Sequence, residues 1–146
     1  MAGEKMNTLK NHMLAIKNDK RVYENAFQAI SRMILDSEIE KVVVNGKTTY
    51  DFKIFRHGKK HIVGMYDEIN SFVSFVKDAA EGGSSKEMAY VLVGEPGNGK
   101  TYFVEYVSRL YREFLGVPRN AKYTFRFNGL DKIGTYGKIT TIESQT

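Results

Sequence analysis

The chain has 146 residues, enough for one packed domain and short for two, and its 42% apolar content with nine Phe and nine Tyr supplies a core. It has no cysteine, which excludes disulfides and thiolate metal sites and suits a reducing compartment. No apolar run approaches the roughly 20 residues of a membrane helix, so a cytoplasmic location and no membrane partner are the expectation.

The net charge of +5 is uneven: residues 1–60 hold 12 Lys/Arg against 7 Asp/Glu, and residues 61–146 hold 10 against 10. In chain order, Leu9, Met13 and Ile16 space a short helix over 8–16. A longer helix is predicted over 20–35, where Val22, Ala26, Ile30, Met33 and Ile34 share a face. In KVVVNGKTTYDF, Asn45-Gly46 separates two β-branched or aromatic runs, the pattern of a hairpin with a tight turn. The positive excess is densest in KIFRHGKKH, residues 53–61, which reads as a solvated loop or, alternatively, as a polyanion-facing patch. His57 and His61 are four apart in this stretch, but Gly58 interrupts them and no third ligand is near, so they read as solvated.

A third helix is predicted over 67–80, with Ile69, Phe72, Val73, Val76 and Ala80 at helical spacing and Asp67 and Glu68 in its first turn. EGGSSKE then reads as a flexible surface loop. AYVLV, residues 89–93, has the profile of a buried parallel strand. After a glycine-rich turn, Phe103, Val104, Val107, Leu110, Tyr111 and Phe114 form the apolar face of a helix that Gly116 and Pro118 stop. KYTFRF alternates, putting Tyr123, Phe125 and Phe127 on one side of a half-buried strand; stacking of bases is its alternative reading.

The chemistry lies in the turn. Gly94-Glu95-Pro96-Gly97-Asn98-Gly99-Lys100-Thr101 matches G-x-x-x-x-G-K-[ST] at every fixed position, with a strand pattern before it and an amphipathic helix after. Gly94, Gly97 and Gly99 permit positive φ and let backbone amides approach phosphate oxygens. The following helix adds its positive end. Lys100 is expected to reach the β- and γ-phosphates of ATP, and the Thr101 hydroxyl to ligate Mg²⁺. A third reading of the basic stretch follows, that it lies near the bound nucleotide. About five hydrogen bonds to a charged group give some 7–15 kcal/mol gross. Association costs about 4–15 kcal/mol, and micromolar binding needs about 8 net. The loop therefore requires a base pocket and a metal besides.

Phosphoryl transfer also wants a carboxylate near Mg²⁺, usually at the end of another apolar strand. Downstream of the loop only Glu105, Glu113, Asp131 and Glu143 are acidic, and none ends such a strand. The expectation is an incomplete α/β P-loop domain: a partial parallel sheet with flanking helices over 61–146, preceded by a helical and hairpin segment over 1–60.

DKRVYENAFQAISRMI, IVGMYDEINSFVSFVKDAAEG, YVLVGEPGNGKT and YTFRFNGLDKIGTYGKITTIESQT together resemble the N-terminal AAA module of the bacterial PrkA serine protein kinase family. The likeness runs from about residue 9 to 146. The helix start at Gly64, Met65 and Ile69 narrows a general P-loop protein to the AAA type, and GKITTIESQT points to this family. The resemblance implies phosphate and Mg²⁺ binding by residues 94–101 and an adenine pocket around Ile62, Val63 and Gly64. The plainer reading makes Ile62 and Val63 core residues. The family's Walker B carboxylates, sensors, arginine finger and kinase-like region find no match here, nor does an ordinary His-Arg-Asp or Asp-Phe-Gly kinase motif. The implied activity is ATP-dependent phosphorylation of a protein substrate, with assembly into a homo-oligomer in the complete protein. The alternatives are an AAA ATPase that remodels a protein partner without phosphorylating it and, more remotely, a basic nucleic-acid-binding module.

Overall fold

The computed structural model describes residues 8–59 and 61–122. Helix α1, Leu9–Asn18, starts at Thr8, whose side chain accepts from the Asn11 amide at 3.3 Å. The helix expected over 20–35 is instead two elements. A 3-10 turn, Lys20–Tyr23, follows Asp19, and α2, Ala26–Leu35, begins afresh at Asn25. The cause is local. Asn25 accepts from the Gln28 amide at 2.9 Å, while the Gln28 side chain accepts from the Asn25 amide at 3.0 Å. That reciprocal capping box starts a helix where periodicity alone extends one backwards.

Strands β1, Ile39–Val44, and β2, Lys47–Phe52, form the predicted hairpin, with Val44 opposite Lys47 across a two-residue turn. Asn45 and Gly46 take φ of 50° and 77°, the left-handed pair that matches the twist of the strands. Glu40 and Asp51 face each other across the ladder, and the Lys53 amine joins them, 2.6 Å from Glu40 and 3.3 Å from Asp51. The hydrogen bond to Glu40 holds the Lys53 pKa above its ordinary value.

The stretch read as a solvated loop is one only in its second part, where His57, Gly58, Lys59 and His61 are exposed. Lys53–Arg56 is a 3-10 turn that drives Phe55 to 0% exposure, since an aromatic ring recovers more by burial than the turn loses. Helix α3, Tyr66–Ala80, covers the predicted span and carries Asp67 and Glu68 in its first turn. EGGSSKE also departs from expectation: Ser84–Glu87 forms a 3-10 turn tied to α3. There Asp78 accepts from the Ser85 amide at 2.9 Å, and its own carbonyl accepts from the Gly83 amide at 2.8 Å. A side chain at Gly83 would collide with the Asp78 carboxylate.

Residues 89–93 form no strand among the described residues, and the sheet there is the antiparallel hairpin alone, not a parallel one. Tyr90 packs on Phe72 and Phe75 at 5.5 and 5.2 Å, and Leu92 joins the core, but Val91 and Val93 are 71% and 91% exposed. One face is covered as in a strand, while the backbone lacks the neighbouring ladder a strand requires. Helix α4, Lys100–Gly116, follows the loop, and Pro118–Asn120 turns beyond it. Its buried residues are Phe103 and Tyr106, whereas Val104, assigned to the apolar face, is 53% exposed. Positions 103, 106, 110 and 114 form the stripe that meets α2, α3 and the hairpin. The strand read at KYTFRF, and Asp131 and Glu143, lie outside the described residues beyond Lys122.

The core joins Met33 and Ile34 of α2, Phe52 at the end of β2, Phe55 just after it, Ile62 ahead of α3, Ile69 and Val73 of α3, and Phe103 and Tyr106 of α4. Arg32 ties its rim: it holds Glu24 at 2.9 Å, donates to Asn120 Oδ1 at 3.1 Å and lies 4.8 Å over the Phe114 ring. No helix among the described residues is long and apolar enough to cross a membrane.

Candidate nucleotide site

The loop from Gly94 to Gly99 is shaped by its glycines. Gly97 and Gly99 take φ of 87° and 74°, conformations that disfavour a side chain by about 1–2 kcal/mol. The Asn98 amide turns back to the Glu95 carbonyl at 3.3 Å, and the first helical bond runs from the Phe103 amide to the Gly99 carbonyl at 2.8 Å. No side chain caps α4. The amides of Lys100, Thr101 and Tyr102 therefore have no partner among the described residues. Three unpaired donors at the positive end of a 17-residue helix make an anion cradle.

Lys100 is turned back onto the loop. Its ammonium donates to the carbonyls of Gly94 at 2.7 Å and Glu95 at 2.6 Å, both within the loop. It is not buried in the core, and no carboxylate among the described residues pairs with it. A phosphate arriving at the amides would meet a cation beside it. The loop, Thr101 and Tyr102 line a groove of about 540 Å³. A second groove of about 550 Å³ shares Tyr102 and is bounded by Gly58, Lys59, Glu105, Tyr106 and Arg109. The two meet at Tyr102, so the basic stretch lies beside the helix that follows the loop.

That stretch is bolted to α4. Phe55 stacks on Phe103 and Tyr106 at 6.1 and 6.4 Å. The Tyr106 hydroxyl donates to the carbonyls of Ile54 at 3.1 Å and His57 at 2.9 Å, and burial raises its pKa. Ile62 is core, at 2% exposure, whereas Val63 is 77% exposed and Gly64 has φ of 66°. The His61 ring sits 3.1 Å from the Gly58 carbonyl.

Arg56, whose guanidinium pairs with Asp51 at 2.8 Å and donates to the Gly64 carbonyl at 3.0 Å, shares this geometry with Tyr106, and none of the three stands out in the sequence. In the sequence Arg56 is one charge in a basic run, and Tyr106 lies off the apolar face that periodicity assigns to its helix. No local pattern signals them, because their partners come from β2, the stretch before α3 and α4.

A glycine-rich loop with Lys and Thr opening an uncapped helix has the form of a P-loop. The family model described as the PrkA AAA domain matches residues 7–121. The chain belongs to the PrkA AAA domain family. No curated protein and no solved structure matches it.

Proposed function

We propose that this chain binds Mg-ATP through Gly94, Glu95, Pro96, Gly97, Asn98, Gly99, Lys100 and Thr101, as the ATP-binding portion of a serine protein kinase. The observation that carries the reading is the set of unpaired amides at the start of α4, with the Lys100 ammonium held against the loop carbonyls of Gly94 and Glu95 in the same groove. The amides and Lys100 take the phosphates. Among the described residues no three His, Cys, Asp or Glu stand together as metal ligands. A Mg²⁺ ion here would take the Thr101 hydroxyl, phosphate oxygens and water, the mixed set this cation accepts. The ion would neutralise charge on the phosphates.

The adenine goes to the segment at Val63 and Gly64. Val63 keeps its N–H and C=O without partners among the described residues, a donor and an acceptor for the edge of adenine. Two cations in the 53–61 stretch are already engaged, Lys53 with Glu40 and Asp51, and Arg56 with Asp51. This favours a structural role for the stretch beside the nucleotide over a polyanion surface. The domain division at 60/61, a cytoplasmic location, a protein substrate and assembly into a homo-oligomer complete the proposal.

Incubation with ATP labelled at the γ-phosphate tests the activity of the parent protein. Label on a serine of a protein substrate supports the kinase. Release of all label as inorganic phosphate supports instead an AAA ATPase that remodels a partner.

A further inference from the structure

The geometry points to Arg56 as a positioning residue for the nucleotide base: it holds the Val63–Gly64 segment in its binding shape. This rests on the ATP reading above. Arg56 lies a third of the way from Asp51, on β2, to the start of α3. Its Nε donates to Asp51 Oδ1 at 2.8 Å, and the Asp51 side chain is only 8% exposed. Asp51 is held in turn by Lys53, which reaches back to Glu40 on β1. The guanidinium is thus anchored to both strands of the hairpin.

From that anchor one nitrogen, Nη1, donates to two carbonyls, those of Ile62 and of Gly64, the latter at 3.0 Å. The guanidinium also lies 4.6 Å over the ring of Tyr66, the first residue of α3. Pinning carbonyls two residues apart to one atom forces the chain between them outward, and Val63 is the residue so displayed. The same hold accounts for the backbone that follows. Gly64 at φ of 66° is joined by Met65 at φ of 53°, a left-handed non-glycine that persists only where its surroundings impose it. Ile62 is fixed separately by its amide bond to the Phe55 carbonyl at 3.0 Å.

The guanidinium is not an economical stabiliser. Its Nη2 is buried with no hydrogen-bond partner among the described residues, and a half-satisfied buried cation contributes less than an apolar replacement of similar volume. Its worth lies in shape. The chain of contacts is continuous: the loop helix holds Phe55 and the carbonyls of Ile54 and His57, and Arg56 between them holds the base segment. Phosphate cradle and base segment are therefore set at a fixed separation.

The test compares ATP with inorganic tripolyphosphate, which has the phosphates and lacks the base. Dissociation constants are measured by calorimetry for the full chain and for Arg56→Lys and Arg56→Gln, with a melting curve for each. A positioning role predicts that ATP binding weakens about tenfold in both variants while tripolyphosphate binding changes less than about twofold. Equal weakening of both ligands, or no change in either, overturns it. Loss of the fold in both variants also overturns it, since Arg56 would then hold the whole domain and not the segment. If the unaltered chain binds ATP no better than tripolyphosphate, the base has no pocket to position and the inference falls while the loop reading stands. If it binds neither, the ATP reading itself falls.

Discussion

Removing one oxygen from Tyr106 isolates the bond that fastens the basic stretch to α4. In Tyr106→Phe the ring keeps its place against Phe55, so no cavity opens, but the carbonyls of Ile54 and His57 lose their shared donor. Tyr106 is 2% exposed, so water does not readily replace the hydroxyl. Leaving a buried acceptor unpaired costs about 1–3 kcal/mol. With a urea dependence of about 2 kcal/mol per molar, the unfolding midpoint should fall by roughly 0.5–1.5 M with an unchanged slope. Tyr102→Phe is the control, because that ring is 36% exposed and its hydroxyl has no partner among the described residues. Equal midpoints for the two variants would refute the claim that this hydroxyl holds the stretch in place.

Burial also raises the pKa of Tyr106 and of Tyr111 above 10.0. A raised folded pKa means the folded state keeps its protons longer, so the contribution is intact below pH 10 and is lost as pH climbs through the folded values. Alkaline melting curves should show that loss, reduced in Tyr106→Phe and further reduced when Tyr111→Phe is added. Gly46→Ala should destabilise the hairpin by about 1–2 kcal/mol, from conformation alone, since nothing lies within 4 Å of the added carbon; urea unfolding equal to that of the unaltered chain would count against the turn geometry. Phe55→Ala removes a ring of 0% exposure and should cost about 3–5 kcal/mol. A melting temperature within a few degrees of the unaltered chain would show that Phe55 is not central to the core.

Local chemistry made several features legible beforehand. Asn45-Gly46 is a turn because few other pairs tolerate two left-handed residues, and α3 follows from spacing that its own residues satisfy. The loop is legible because each fixed position has a separate physical reason. The failures share a different cause, dependence on partners distant in sequence or in a competing local bond. Periodicity joined 20–35 into one helix, but Asn25 and Gln28 cap each other and restart it. Composition made AYVLV a buried strand, but Val91 and Val93 find no ladder beside them among the described residues. Charge counting made Arg56 a surface cation, but Asp51, the carbonyls of Ile62 and Gly64 and the ring of Tyr66 enclose it. No windowed pattern registers such a set, because its members come from β2, a loop and a helix start.

The most direct measurement is Mg-ATP binding to the full chain and to Lys100→Ala, with unfolding curves to establish that both are folded. Lys100 exchanges its bonds to the Gly94 and Glu95 carbonyls for charged phosphate oxygens, a contribution of about 1.5–3 kcal/mol. The account predicts binding by the unaltered chain that weakens about tenfold to a hundredfold in the variant. Equal affinities in two equally folded proteins would contradict it.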